Sequence, residues 1–513
     1  MKNRKKIAPW VILLSMLLLG VFLSRGSRVF SSKEKVSDTI QMEEQRIPEA
    51  SVVIEEEKAE NVLSDLSESF SAILNQGKAG MYSNYPIDES FLLWVNARYK
   101  DEIIRELAQA AMDGIEDSEV WYEKTGSSIH VLWLEYCNSL NYSSYLLSNV
   151  TWQETASTDQ IVIDFTGDIN FDESWYTMEA AAERDNGIFD CFSEDILQEL
   201  KSADITMVNN EFTYTTRGEP IPGKSYTFRA DPDQVSNLEL FGTDIVSLAN
   251  NHSYDFGEVS LLDTMETLKS AGVAYVGAGK NIKEATLPQF FIINGRKIAF
   301  VAATQIEKST LYTKQATEDA AGVLRTSNPK QFVAEIEQAK KVSDYVIVYV
   351  HWGSEGMLYP EEDQKNLAKQ YAEAGADLIV GNHSHRLQGA YYVEGVPVFY
   401  SLGNFWFSDG ALYTTILQVR IAKDGEMEVS MLPCVQQDMT TSMLKEETEI
   451  KDFYEYVADI SENVVFDENG TISLQSTARE GTYVYQSGSH YGTHSGAYDL
   501  LGRRIDIVGN LRN

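Results

Sequence analysis

Cysteine is nearly missing from this chain. Its 513 residues include three, Cys137, Cys191 and Cys434, with no Cys-x-x-Cys pair. That rules out a disulfide scaffold and a thiolate zinc site, and leaves the three as small buried hydrophobes. Basic residues are also few: 42 Lys plus Arg stand against 77 Asp plus Glu, a formal charge of −35. Such a surface repels nucleic acid and anionic lipid, so no nucleic-acid partner is expected. Long apolar runs are confined to the first residues, which excludes a polytopic membrane protein. Hydrophobic residues still make up 43% of the chain, enough to bury a core and to exclude wholesale disorder.

Lys2, Arg4, Lys5 and Lys6 precede the apolar run Ile7–Leu23. The run is about the shortest that spans a bilayer, and its basic flank would stay in the cytoplasm. The alternative, a cleaved signal peptide, has only Ser24-Arg25-Gly26 as a cleavage site, and the arginine makes it poor. The expectation is an uncleaved anchor over 1–30, a single-pass location at the cell membrane, and a bulk that is extracytoplasmic. An acidic linker follows over 31–60, then a mostly helical accessory region over 61–155 with apolar residues at helical spacing.

From Asp159 the texture alternates. Strand-like runs begin at Ile161, Ile205, Ile245, Val273, Ile298, Tyr345, Leu378 and Val398. Helix candidates lie between them at Ser193–Ser202, Asp233–Phe241, Leu261–Ser270, Phe332–Val342 and Gln364–Ala374. This alternation predicts an α/β fold whose sheet is covered by helices. From Leu412 the pattern turns β-like, as in a second sheet or the edge of a two-sheet sandwich. The main domain is expected over 159–440, with a partly flexible extension over 441–513.

Five loops after strand ends carry the polar residues of interest. They are Gly167-Asp168-Ile169-Asn170, Asn209-Asn210-Glu211, Asn250-Asn251-His252 with Asp255, His351-Trp352-Gly353 with Glu355, and Gly381-Asn382-His383-Ser384-His385. Loops at strand ends of open α/β sheets converge on ligands. Oxygen and imidazole donors without thiolate suit Zn, Mn or Fe in a hydrolytic site. A lone histidine after a strand is ordinarily a hydrogen-bonded loop residue, but four of the seven histidines fall in such places. The Asn209-Asn210 pair reads equally well as a turn former.

These passages resemble the CapA/PgsA family of bacterial capsule and poly-γ-glutamate biosynthesis proteins, whose domain is of the calcineurin-like metallophosphoesterase superfamily. The likeness runs from about Val162 to Phe407. It rests on Tyr226–Ala230, Ser247–Gly257, His351–Gly353, Gly375–His385 and Tyr400–Phe405 taken together, in this order. It implies a metallophosphoesterase-like sheet sandwich flanked by helices and two divalent transition-metal ions (Mn, Zn or Fe). Asp168 and His385 would hold the first ion and Asn251, His351 and His383 the second, with Glu211 bridging. His252 would protonate a leaving group while Asp255 orients it, and Arg229 would engage an anionic substrate.

Asn170, Trp352 and Glu355 complete the expected substrate contacts. Asn170 stands where the wider superfamily has histidine, and Glu211 where it has aspartate, which leaves two metals, one metal or a degenerate site open. The implied partners are an anionic polymer such as poly-γ-glutamate and other membrane subunits of a synthase or export complex. A metal-dependent hydrolase, a non-catalytic scaffold that holds polymer, and a surface phosphodiesterase or nucleotidase remain the alternatives.

Overall fold

The computed structural model describes residues 66–77, 87–115, 118–139, 149–155, 157–307 and 311–475, and three short strands at 485–486, 497–498 and 504–505. The expected anchor and linker lie outside the described residues. Among the described residues no helix is long and apolar enough to cross a membrane.

The main-sheet strands are β1 (Val150–Trp152), β2 (Gln160–Ile169), β3 (Ile205–Asn210), β4 (Ile245–Ser247), β5 (Ala274–Val276), β6 (Gln289–Ile293), β7 (Arg296–Thr304) and β8 (Tyr345–His351). They continue as β9 (Leu378–Asn382), β10 (Ala390–Val393), β11 (Val396–Phe399), β12 (Asn404–Trp406), β13 (Leu412–Ala422), β14 (Met427–Gln437) and β15 (Thr440–Met443). One sheet runs β1-β6-β7-β8-β9-β11-β10. The other runs β15-β14-β13-β2-β3-β4-β5, with β12 also paired to β2. The β-like texture after Leu412 therefore belongs to the second sheet, where β13 lies antiparallel to β2.

Strand alternation explains why the sheets stack. Along β7, Ile298, Phe300 and Ala302 face inward and join Phe165, Met207, Ile347 and Val380 in a core between the sheets. Their neighbours Ala299, Val301 and Ala303 face outward and pack under helices. Those helices include Lys330–Lys340 and Glu362–Glu373, together with the accessory helices at Ser67–Gly77, Glu89–Tyr99, Asp101–Met112 and Ile129–Ser139. The second sheet is covered on its outer face by Glu194–Ser202 and Glu258–Ser270. The result is a two-sheet sandwich between helical layers. The accessory helices share a core with the first sheet, and β1 extends that sheet by pairing with β6. Truncating Phe300, fully buried at the centre, would cost about 3–5 kcal/mol.

The boundary expected at 440/441 falls inside this packed unit. Helix Glu447–Asp459 inserts Phe453, Tyr454, Tyr456 and Val457 into the inter-sheet core. Asp233–Phe241, expected as an α-helix, is a run of 3₁₀ turns over Pro232–Phe241. Asp231 caps it, Pro232 opens it, and Gly242 in the left-handed region ends it. The helix after the His351 loop starts at a capping box, in which Glu361 N–H donates to Gln364 Oε1 at 2.8 Å.

In both sheets the central strands are parallel, so their carboxyl ends share one edge. Register sets Asp168 beside Asn209 and Asn404 in one sheet, and His351 beside Thr304 and Asn382 in the other. Two glycines allow the loops to close over this edge. A Cβ on Gly167 would lie 1.9 Å from the Gly403 carbonyl oxygen, and one on Gly381 would lie 2.3 Å from the Tyr400 oxygen.

Candidate metal centre

Loops from the two sheets meet at this edge. His351, from the end of β8, places Nε2 2.8 Å from Asn251 Oδ1, 3.0 Å from His383 Nδ1 and 3.4 Å from Glu211 Oε1. His385 Nδ1 lies 3.3 Å from Asp168 Oδ2 and 2.8 Å from Asn404 Oδ1. Glu211, His383 and His385 each present a donor atom, and the three donors lie within 4.8 Å of one another. The six side chains expected as metal ligands are thus gathered in one place, although they come from positions 168 to 385. His383 and His385 adopt φ of 101° and 54°, strained values for residues with a Cβ. Strain of this kind persists only where surrounding structure holds it, and it clusters at functional sites.

The electrostatics of the group are unbalanced. Asp168 Oδ2 and both oxygens of Glu211 are buried and receive no hydrogen bond among the described residues. Burial, reinforced by Asp168, pushes the Glu211 carboxyl well above the usual range. Burial acts the same way on Asp168, but His385 and His351 outweigh it and hold that carboxyl low. Burial drives His351 down to about 3 and His383 well below the ordinary imidazole value. Burial also depresses His385, but its contact with Asp168 raises it on balance. A buried carboxylate without donors costs several kcal/mol unless a cation compensates it. Neutral imidazoles beside orphaned carboxylate oxygens are a donor set that fits divalent cations.

Asparagines hold the candidate ligands in place. Asn209 Nδ2 donates to Asp168 Oδ1 at 2.7 Å, and Asn250 Nδ2 donates to Asn209 Oδ1 at 3.2 Å. Asn209 therefore fixes the Asp168 carboxylate. Its neighbour Asn210 makes the local turn, donating to the Phe212 carbonyl.

His252 sits at the cleft side of this group. Its Nδ1 is 2.7 Å from Asp255 Oδ2, and its ring packs 4.5 Å from that of Phe228. Burial lowers its pKa while Asp255 pulls it back up. The other oxygen of Asp255 accepts from Lys224 Nζ, which also donates to the Asn251 carbonyl. Lys224 thus links the His252–Asp255 pair to the Asn251 backbone. Sequence reasoning missed it, although it lies two residues before Tyr226, where the family-like passage begins. Asn404, inside the family-like passage Tyr400–Phe405, was not singled out, yet its Oδ1 lies 2.8 Å from His385 Nδ1.

The expected substrate contacts fare differently. Glu355 lines the cleft. Trp352 does not: it is fully buried, stacked on Tyr371 and Tyr400, with its Nε1 donating to the Tyr400 carbonyl. Alternation is the reason, since the residue after His351 faces the opposite side, towards the outer helices. Asn170 is also buried. Its Oδ1 is taken by the Asp172 N–H, so only the amide nitrogen remains free to bond. Arg229 places its guanidinium 4.4 Å over the Phe256 ring, and the arginine lining the cleft is Arg386, directly after His385.

Comparison with known proteins bears on this site. Residues 162–409 match the family described as bacterial capsule synthesis protein PGA_cap. The PGA biosynthesis protein CapA of Bacillus subtilis is 31% identical over 229 residues, 44% of this chain and 59% of the relative. The capsule biosynthesis protein CapA of Bacillus anthracis is 34% identical over 218 residues, 41% and 52% of the two chains. A probable polyglutamine synthesis accessory protein of Mycobacterium tuberculosis is 29% identical over 213 residues, 40% and 56%. The chain thus spans between 52% and 59% of the length of these relatives.

Proposed function

Because residues 162–409 belong to the bacterial capsule synthesis family PGA_cap, we propose that this chain serves the synthesis, export or processing of an anionic surface polymer of the poly-γ-glutamate type, and that its gathered histidines and carboxylates form a metal-dependent hydrolytic site. The observation that carries the second half is the set of three buried carboxylate oxygens without donors inside a cluster of imidazoles. The basic flank and apolar run of residues 2–23 support a membrane-anchored, extracytoplasmic position.

Asp168 and His385 would hold one cation, Asn251, His351 and His383 a second, and Glu211 would lie between them. Bound there, divalent cations supply Lewis-acid charge for hydrolysis of a phosphoester or an amide. His252, with Nδ1 engaged by Asp255, keeps Nε2 for the cleft it lines and exchanges a proton there with the leaving oxygen or nitrogen. Lys224 and the Phe228 N–H both donate to Asp255, which fixes the plane of the histidine ring. Arg386 offers a planar cation for an anionic group near the site.

The test is a strain whose only copy carries His252→Ala. Polymer output is expected to fall by roughly 100-fold or more with the protein still present at its normal level. Undiminished output would instead support a scaffold that holds polymer without turnover.

A further inference from the structure

Beside His252 and His385 opens a cleft of about 570 Å³. Its wall is aromatic: Trp175, Tyr176, Tyr226, Phe228 and Phe407 all line it. Tyr226 and Tyr176 are 60% and 47% exposed, far more than side chains serving only as core. The wall is also rigid. The Trp175 indole N–H donates to the Phe407 carbonyl, and Phe228 is anchored through its N–H to Asp255. One loop, residues 215–228, brings both Lys224 and the aromatics Tyr226 and Phe228, so wall and proton-exchange pair are built together.

Trp175 crosses three of its neighbours, while Tyr226 and Phe228, 18° apart with centroids 6.4 Å from each other, form the other side of the angle. Trp175 meets Tyr226 at 79°, Phe228 at 67° and Phe407 at 66°. Crossed rings make a corner, whereas a flat base is gripped by parallel faces. A corner fits a puckered ring that has one apolar C–H face and a hydroxylated edge. The polar groups agree. Glu355 and Asp409, both exposed, line the cleft as acceptors for hydroxyl groups, with Arg386 as its cation. A run of γ-linked glutamates would bring further carboxylates against these two, which is unfavourable.

Resting on the hydrolytic reading of the same site, we infer that the group seated in this cleft is a sugar phosphate. Its pyranose ring lies against Trp175, Tyr176 and Tyr226, and its phosphate points to His252, His385 and Arg386. The glutamate polymer then lies outside the aromatic corner, and the reacting end that the cleft selects is a sugar-bearing one.

Calorimetric titration of the full chain in detergent with Mn²⁺ tests this, using α-D-glucose 1-phosphate, glycerol 3-phosphate and tri-γ-glutamate. Glucose 1-phosphate is expected to bind about tenfold more tightly than glycerol 3-phosphate, which has the phosphate but no ring. Tyr226→Ala and Tyr176→Ala, each at an exposed position and each checked for an unchanged melting temperature, are expected to shrink that ratio to about twofold or less. Equal affinities in the unaltered chain, a sugar preference that survives both substitutions, or tighter binding of tri-γ-glutamate would each overturn the inference while leaving the metal site standing. Failure of both phosphates to bind while Mn²⁺ itself binds would overturn this inference alone, and failure of Mn²⁺ to bind would overturn the hydrolytic reading and this inference with it.

Discussion

Strand β8, Tyr345–His351, carries a polar cluster at each end, and the two differ in how far their carboxylates are engaged. At its amino end Asp344 Oδ2 accepts from Ser128 Oγ and from Lys297 N–H, each at 2.7 Å, and His130 Nε2 lies 3.9 Å from the other oxygen. One carboxylate is surrounded there by donors and by two basic side chains, and the contacts tie the accessory helices to the sheet. At its carboxyl end two carboxylates, Asp168 and Glu211, share imidazoles, and three of their oxygens have no donor. At the amino end one carboxylate oxygen, Asp344 Oδ1, has no hydrogen bond and faces His130, whereas at the carboxyl end three oxygens of two carboxylates have none. The two ends therefore differ in degree: one carboxylate with an engaged oxygen ties helices to the sheet, whereas two fully buried carboxylates among imidazoles leave three oxygens unengaged.

Three measurements break or sharpen this contrast, of which the largest effect belongs to the amino-end cluster. Burial pushes Lys297 down to about 7, against the pull of Asp344. A lysine depressed in the folded state contributes stability that is fully present above its unfolded value, about 10.4, and is lost as pH falls towards 7. Denaturant unfolding at pH 7 and at pH 10.5 is expected to show a few kcal/mol more of this contribution at the higher pH. Lys297→Met is expected to remove it, and an identical pH slope in the variant would contradict the assignment.

Next comes a difference of sign. In chelator-treated protein, Glu211→Gln is expected to raise unfolding stability by about 1 kcal/mol, because it relieves an uncompensated carboxylate. Asp344→Asn is expected to lower stability by about 1–3 kcal/mol, because it weakens satisfied hydrogen bonds. Equal losses from both substitutions would erase the distinction between the two ends.

How much of this was legible in the sequence follows the same division. The candidate ligands sit at the ends of apolar runs, and five such runs in order were enough to group Asp168, Glu211, Asn251, His351, His383 and His385 at one sheet edge. The sandwich was legible in part, since the unbroken apolar run Ile298–Ala303 suits a strand buried on both faces and the texture after Leu412 declares β structure. Trp352 misled because proximity in sequence to His351 is not proximity in space: on a strand, the next residue faces the other way. Arg386, which lines the cleft, was not singled out because no family-like role pointed to it, whereas Arg229 lies over Phe256. Lys224 and the amino-end cluster were invisible for a different reason. Ser128, Lys297 and Asp344 meet only after folding, and neither spacing nor composition marks a residue whose partner is 216 positions away.

The most direct test of the central claim is elemental analysis of the purified full chain after exhaustive dialysis. The account predicts a transition metal in at least stoichiometric amount, lost on His351→Ala and on His383→Ala and retained on Asp344→Asn. Metal content that is negligible in the unaltered protein, or that does not change when either histidine is removed, would contradict it.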